Sequence, residues 1–191
     1  MLILLCGYKR CGKDTVASYL SNKYDFHHLK ISYLLKKTLK LLFNFSEEQL
    51  EGDLKEVIDE HWKITPRDTM KFVGTNLFQF NIQQLVPGIC RNFWIKGLCE
   101  KINADYNDNK KNIVISDLRF IHELDYLSNN INSHEIVIVK IVRDGLIIQE
   151  NITDISENEH LKFKFNNIIV NDNNMTNFEK TIDDLFESLI K

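Results

Sequence analysis

Nine residues near the start carry the strongest chemistry in the chain: Gly7-Tyr8-Lys9-Arg10-Cys11-Gly12-Lys13-Asp14-Thr15. They follow an apolar run over residues 2–6 and open a segment of helical periodicity, the context that a phosphate-binding P-loop requires. In such a loop the backbone amides, from Gly7 through Gly12, wrap a phosphate at a helix N-terminus. Lys13 would reach the β- and γ-phosphates. The usual pattern then has a Ser or Thr that binds magnesium. Here Asp14 stands in that place and Thr15 one further on, so the ion falls to Asp14 acting through water or to Thr15. Lys9 and Arg10 add positive charge inside the loop, which suits a site holding two phosphorylated substrates at once. Solvated surface charge is the alternative.

The chain has nineteen Lys and only five Arg. Lys suffices wherever a simple surface charge is needed, so Arg10, Arg67, Arg91, Arg119 and Arg143 mark places for a planar bidentate fork. Structural ion pairs are the competing use. Asp117 sits just past an apolar strand, at the edge where open α/β sheets bind ligands, and an acid there can hold a magnesium-bound water. Arg119 and Glu123 are four apart on the segment read as the next helix, so they share a face. An intrahelical ion pair, worth about 0.3–0.5 kcal/mol, is the alternative. Arg143 directly follows another strand, where it can contact a phosphate. Arg91 and Trp94 lie near a helix start, and Trp94 could stack on a base or belong to the core. The six histidines show no triad or ligand spacing.

The elements that must position these residues alternate between strand and helix. Strands are predicted at 2–6, 28–31, 113–115, 136–142 and 168–170. Helices are predicted at 13–23, 33–43, near 47–51, from Pro66 onward, at 90–103, at 119–129 and from Met175 to the end. In the second helix Leu34, Leu35, Leu39 and Leu42 form the apolar stripe. In the helix from Pro66, Met70, Val73, Leu77 and Phe80 do so, with Thr65 as N-cap and an acid three residues past it. The stretch 46–64 reads as a short helix followed by a mobile connection, 107–112 as a polar turn and 143–165 as a flap. This alternation implies one α/β domain with a mostly parallel five-stranded sheet and helices on both faces. Within it, the stretch over about 33–104 is a helical part.

Composition removes other classes. The 191 residues carry a net charge of −3 with a sequence pI near 6.1, unlike the basic face of a nucleic-acid binder. No apolar run approaches the roughly 20 residues of a membrane span, and the apolar start lacks the basic region of an export signal. A cytoplasmic, reducing compartment with free thiols at Cys6, Cys11, Cys90 and Cys99 is expected.

The strings GYKRCGKDT, TPRDTMKFVGTNLF, RNFWIK, SDLRFIHELDYL, IVRDG and ISENEHL resemble, in order and over most of the chain, the deoxynucleoside monophosphate kinases of tailed phages and large viruses. The resemblance implies a P-loop nucleoside monophosphate kinase-like fold, ATP and Mg²⁺ as cofactors, and a deoxynucleoside monophosphate as acceptor. It also implies a possible homodimer and, for a viral chain, the host cytoplasm. By the same resemblance Arg10, Gly12, Lys13, Asp14 and Thr15 hold ATP, and Lys9 touches the acceptor. Lys36, Arg67, Gly74, Trp94, Asp117, Arg119 and Glu123 match acceptor contacts. Departures fall at Asp68, where members often have Arg, and at Asn76, where they have an acid. The expected chemistry has Lys13, Arg10, Arg119 and Arg143 neutralising the transferred group, with Asp14, Thr15 and Asp117 organising the metal.

Two rivals differ in kind. Phosphomevalonate kinases of the animal type share much of the pattern, and a small phosphorylated alcohol needs no aromatic platform, so a buried Trp94 would favour it. A non-catalytic nucleotide-binding protein is the other. No Asn-Lys-x-Asp guanine signature supports a switch, the nearest string being Asn171-Asp172-Asn173-Asn174.

Overall fold

A computed structural model of the chain describes residues 1–105, 111–146, 159–165 and 167–189. Of the expected polar turn over 107–112, residues 107–110 lie outside this set, as do 147–158 of the expected flap. The chain divides into two compact units, one made of Met1–Lys30 and Lys101–Lys191, the other of Ile31–Glu100.

The first unit holds a sheet of β1 (Leu2–Cys6), β2 (His27–Leu29), β3 (Ile113–Ile115), β4 (Ile136–Arg143) and β5 (Asn167–Asn171), in the order β2-β3-β1-β4-β5. All four pairings are parallel. β1 is central, with Leu2 opposite Ile113 on one side and Ile136 on the other. All five of its residues are buried, which is why it reads as an unbroken apolar run: both faces are covered by helices. α1 (Lys13–Tyr24) buries Val16, Ala17 and Leu20, and the C-terminal helix (Met175–Leu189) buries Phe178, Ile182 and Phe186 in the same core. All parallel strands therefore end at one edge, and the P-loop leaves β1 there.

The second unit is helical. α2 (Tyr33–Phe43) buries Leu35 and Leu39. Leu34 and Leu42, expected in the stripe, are 37% and 64% exposed, which leaves Leu35 and Leu39 as the buried pair of this helix. α3 (Glu47–Leu50) is fixed by a capping box between Ser46 and Gln49. The connection read as mobile is an ordered turn: Asp59 Oδ1 accepts the backbone N–H groups of His61 and Trp62, and the Trp62 indole donates to the Phe43 carbonyl at 2.8 Å. α4 (Pro66–Lys71) starts as expected, with the Thr65 hydroxyl accepting from Asp68 N at 3.0 Å. It then continues as a π-helix over Phe72–Phe80. The wider i→i+5 winding turns the buried face, so Gln79 is buried and Phe80, expected inside, is 50% exposed. α5 (Phe93–Asp105) follows, and α6 (Ile121–Asn130) succeeds β3 in the first unit. The C-terminal helix is α7.

Candidate active site

Glycines shape the loop where a side chain would not fit. Gly7 has φ 141°, and a Cβ there would stand 2.5 Å from the Ile141 carbonyl oxygen. Gly12 precedes α1 at φ 112°, and its Cβ would meet Asn171 Nδ2 at 2.9 Å and the Phe178 ring at 3.1 Å. Between them Arg10 holds φ 66°, a left-handed conformation that costs a non-glycine residue about 1–3 kcal/mol and concentrates at ligand sites.

Lys13 folds back on the loop, its Nζ donating to the carbonyls of Gly7 at 2.8 Å and Tyr8 at 2.7 Å. The opposite flank is clamped from β4 and β5. Asn171 Nδ2 donates to the Cys11 carbonyl at 3.1 Å, and Arg143 donates to the Arg10 carbonyl at 3.0 Å and to Asn173 Oδ1 at 2.7 Å. Arg10, Gly12, Lys13, Asp14, Thr15 and Arg143, with Asn171, Asn173, Met175 and Phe178, line a cleft of about 420 Å³. That volume is ordinary for a small-ligand site. Cys11 is buried beneath the loop, and burial pushes its thiol up; all four cysteines are free.

Asp14 is the most elaborated residue of the loop. Its Oδ1 accepts the Ser116 hydroxyl at 2.7 Å and lies 3.2 Å from the Lys30 ammonium, and Ser116 Oγ is in turn 2.7 Å from His28 Nε2. Partial desolvation raises the Asp14 carboxyl, but the Ser116 and Lys30 contacts outweigh it and hold the group below the usual carboxylate range. Ser116, His28 and Lys30 were not among the residues expected here. All three lie at or within one residue of the C-terminal ends of β2 and β3, and they meet through the parallel pairing of those strands.

Asp117 and Arg119 stand in the turn after β3 but do not line the cleft. Arg119 lies before α6 rather than on it, so the shared helix face is corrected. Glu123 Oε2 accepts the backbone N–H groups of Arg119 and Phe120, both at 3.0 Å. Glu123 is only 5% exposed. Burial pushes its carboxyl up to about 7, against those hydrogen bonds and the charge of Arg119. It caps α6. Glu159, after the segment outside the described residues, accepts the Ile121 N–H at 3.3 Å, and His160 packs edge-on to the Tyr8 ring at 4.8 Å.

The remaining candidates fall in the helical unit. Lys36 pairs with Glu51 at 2.7 Å, and Arg67 Nε with Glu56 at 3.1 Å. Arg91 donates from Nε and Nη2 to Gln79 Oε1 and lies over the Phe80 ring. Trp94 is 7% exposed, donates its indole N–H to the Gly74 carbonyl at 2.9 Å and packs on Phe78 and Phe93. The expected stacking platform is thus corrected: the ring belongs to the core of its unit. Lys9 lies exposed in the loop.

The family model for deoxynucleotide monophosphate kinase matches residues 1–62 and 47–182. The chain belongs to the deoxynucleotide monophosphate kinase family. A protein of Acanthamoeba polyphaga mimivirus named "Putative deoxynucleotide monophosphate kinase" is 32% identical over 200 aligned positions, covering 100% of this chain and 94% of that one. Among solved structures, a dephospho-CoA kinase from Campylobacter jejuni superposes with a TM-score of 0.51 at 15% identity, over 98% of this chain and 96% of that one. A sugar kinase from Janibacter sp. HTCC2649 does so with a TM-score of 0.50 at 11% identity, over 98% and 93%. The fold is that of the P-loop kinases, and membership makes this chain a phosphotransferase. No helix among the described residues is long and apolar enough to cross a membrane.

Proposed function

We propose that the chain transfers the γ-phosphoryl group of ATP to a deoxynucleoside monophosphate, giving ADP and the deoxynucleoside diphosphate. The observation that carries this reading is the P-loop cleft in a chain of this family. An oxygen of the acceptor phosphate attacks the γ-phosphorus, the bond from that phosphorus to the bridging oxygen breaks, and ADP leaves. The attacking oxygen is already ionised, so no general base is demanded. Such transfer is mostly positioning and charge stabilisation.

The loop amides and Lys13 hold the donor phosphates. Lys13 exchanges the Gly7 and Tyr8 carbonyls for phosphate oxygens without moving far. Arg10 and Arg143 present guanidinium charge at the cleft, while Arg119 stands in the turn after β3, outside the cleft lining. Lys9, Lys36, Arg67, Gly74, Arg91, Asp117 and Arg119 serve the acceptor, Trp94 and Glu123 through packing and capping. Asp14 and Thr15 bring a carboxylate and a hydroxyl to the cleft, oxygen donors of the kind Mg²⁺ accepts while keeping several waters. The ion, when bound, neutralises charge on the β- and γ-phosphates.

One observation favours a second reading. With Trp94 buried, no aromatic platform at that position argues for a base, and phosphomevalonate is the smaller acceptor that fits this. Family membership favours the nucleotide. Release of ADP in a coupled assay, across the common deoxynucleoside and ribonucleoside monophosphates and phosphomevalonate, separates the two. Turnover with deoxynucleoside monophosphates alone is expected. Turnover with phosphomevalonate alone, or none with any acceptor, would overturn the assignment.

A further inference from the structure

A hydroxyl has one proton to give. Ser116 Oγ makes two hydrogen bonds of 2.7 Å, one to Asp14 Oδ1 and one to His28 Nε2. An ionised carboxylate only accepts, so the hydroxyl proton goes to Asp14 and the contact to His28 must be donated by the imidazole Nε2–H. The chain His28 N–H to Ser116 O–H to Asp14 therefore runs one way, each bond polarising the next toward the carboxylate. Lys30 adds its ammonium to the same oxygen at 3.2 Å.

The Asp14 side chain is 71% exposed, whereas Ser116 is 2% exposed. A carboxylate so open to water has little packing to choose its rotamer, so the choice falls to these contacts. Ser116 sits one residue past β3 and His28 inside β2, which pairs with β3 in parallel register. We infer that Ser116, backed by His28, is a positioning residue that fixes Asp14 in the orientation in which its carboxylate serves the metal-bound nucleotide. This explains how a P-loop tolerates Asp where Ser or Thr is usual: the missing hydroxyl is returned from β3, one element away, as a donor to the carboxylate that replaced it. The inference rests on the donor-site reading of Asp14 given above.

The test is equilibrium binding of ADP to the purified full chain, with Mg²⁺ present and with Mg²⁺ removed by chelation, for the wild type, Ser116→Ala and Ser116→Thr. Removal of an outer group that orients a metal-site carboxylate weakens metal affinity about 10–100-fold. Ser116→Ala is expected to weaken MgADP about tenfold while metal-free ADP stays within about twofold, and Ser116→Thr to recover most of the loss, at the lower end of that range. A purely structural serine would weaken both forms alike. Equal loss in both, or no loss in MgADP, would overturn the proposal. If Ser116→Ala does not fold by thermal melt, His28→Leu is read instead: a selective weakening of MgADP supports the relay, and none refutes it. A wild type that binds MgADP more tightly than ADP but releases no ADP with any acceptor would sink the proposed reaction and leave this inference standing.

Discussion

Lys13 bonds to two carbonyls of its own loop, which keeps its charge beside the phosphate site in the absence of ligand. Loss of one preorganised electrostatic stabiliser costs about a hundredfold or more in kcat. Lys13→Ala should lose at least that much in steady-state turnover, and a variant within threefold of wild type would remove the loop from the mechanism. Glu123 makes a different prediction, in stability. Its folded-state pKa of about 7 is raised above the ordinary 4.5. Between those values the folded chain holds a proton that the unfolded chain has lost. The stabilisation is therefore complete below about pH 4.5 and declines as pH rises to 7. At about 1.4 kcal/mol per unit, the melting temperature should be several degrees higher near pH 5 than near pH 8. Glu123→Gln should flatten that slope while keeping an acceptor for the Arg119 and Phe120 amides. An unchanged slope would mean that the carboxyl is not what titrates.

Elements explain what single residues do not. Trp94 on α5 joins the π-helical segment through the Gly74 carbonyl and the Phe78 ring. Truncating a buried tryptophan costs about 3–5 kcal/mol, so Trp94→Ala should lower the melting temperature strongly and harm the kinetics of both substrates alike. A rise confined to the acceptor KM, with an unchanged melt, would instead restore the stacking role. The strands and most helices were legible in the sequence because the central strands β1 and β3 are buried throughout and the cap at Thr65 is local chemistry. The loop was legible because glycine at Gly7 and Gly12 answers a steric demand made by its neighbours. The π winding was not, since it arises from packing and leaves the composition of residues 72–80 unchanged; it moved Phe80 out and Gln79 in. Nor was the support of Asp14, because His28, Lys30 and Ser116 meet only through the parallel pairing of β2 with β3.

At the scale of the whole chain, the residues assigned to the donor and most of those assigned to the acceptor belong to different compact units. Arg10, Lys13, Asp14, Thr15 and Arg143 fall in the sheet unit; Lys36, Arg67, Gly74, Arg91 and Trp94 fall in Ile31–Glu100. That division predicts separable kinetics. Arg67 is a good probe, because its partner Glu56 is 61% exposed while Arg67 itself is 24% exposed, and an ion pair open to water on one side contributes little stability. Losing a hydrogen bond to a charged group costs about 1.5–3 kcal/mol, and each 1.4 kcal/mol is about tenfold in affinity. Arg67→Ala should therefore raise the acceptor KM about tenfold or more, with the ATP KM within about twofold and the melting temperature nearly unchanged. Lys36→Met should shift the same constant in the same direction. The pair of KM values, measured beside a thermal melt, decides: equal rises for both substrates, or none for the acceptor, would take Arg67 out of the acceptor site and leave its ion pair with Glu56 as its whole role.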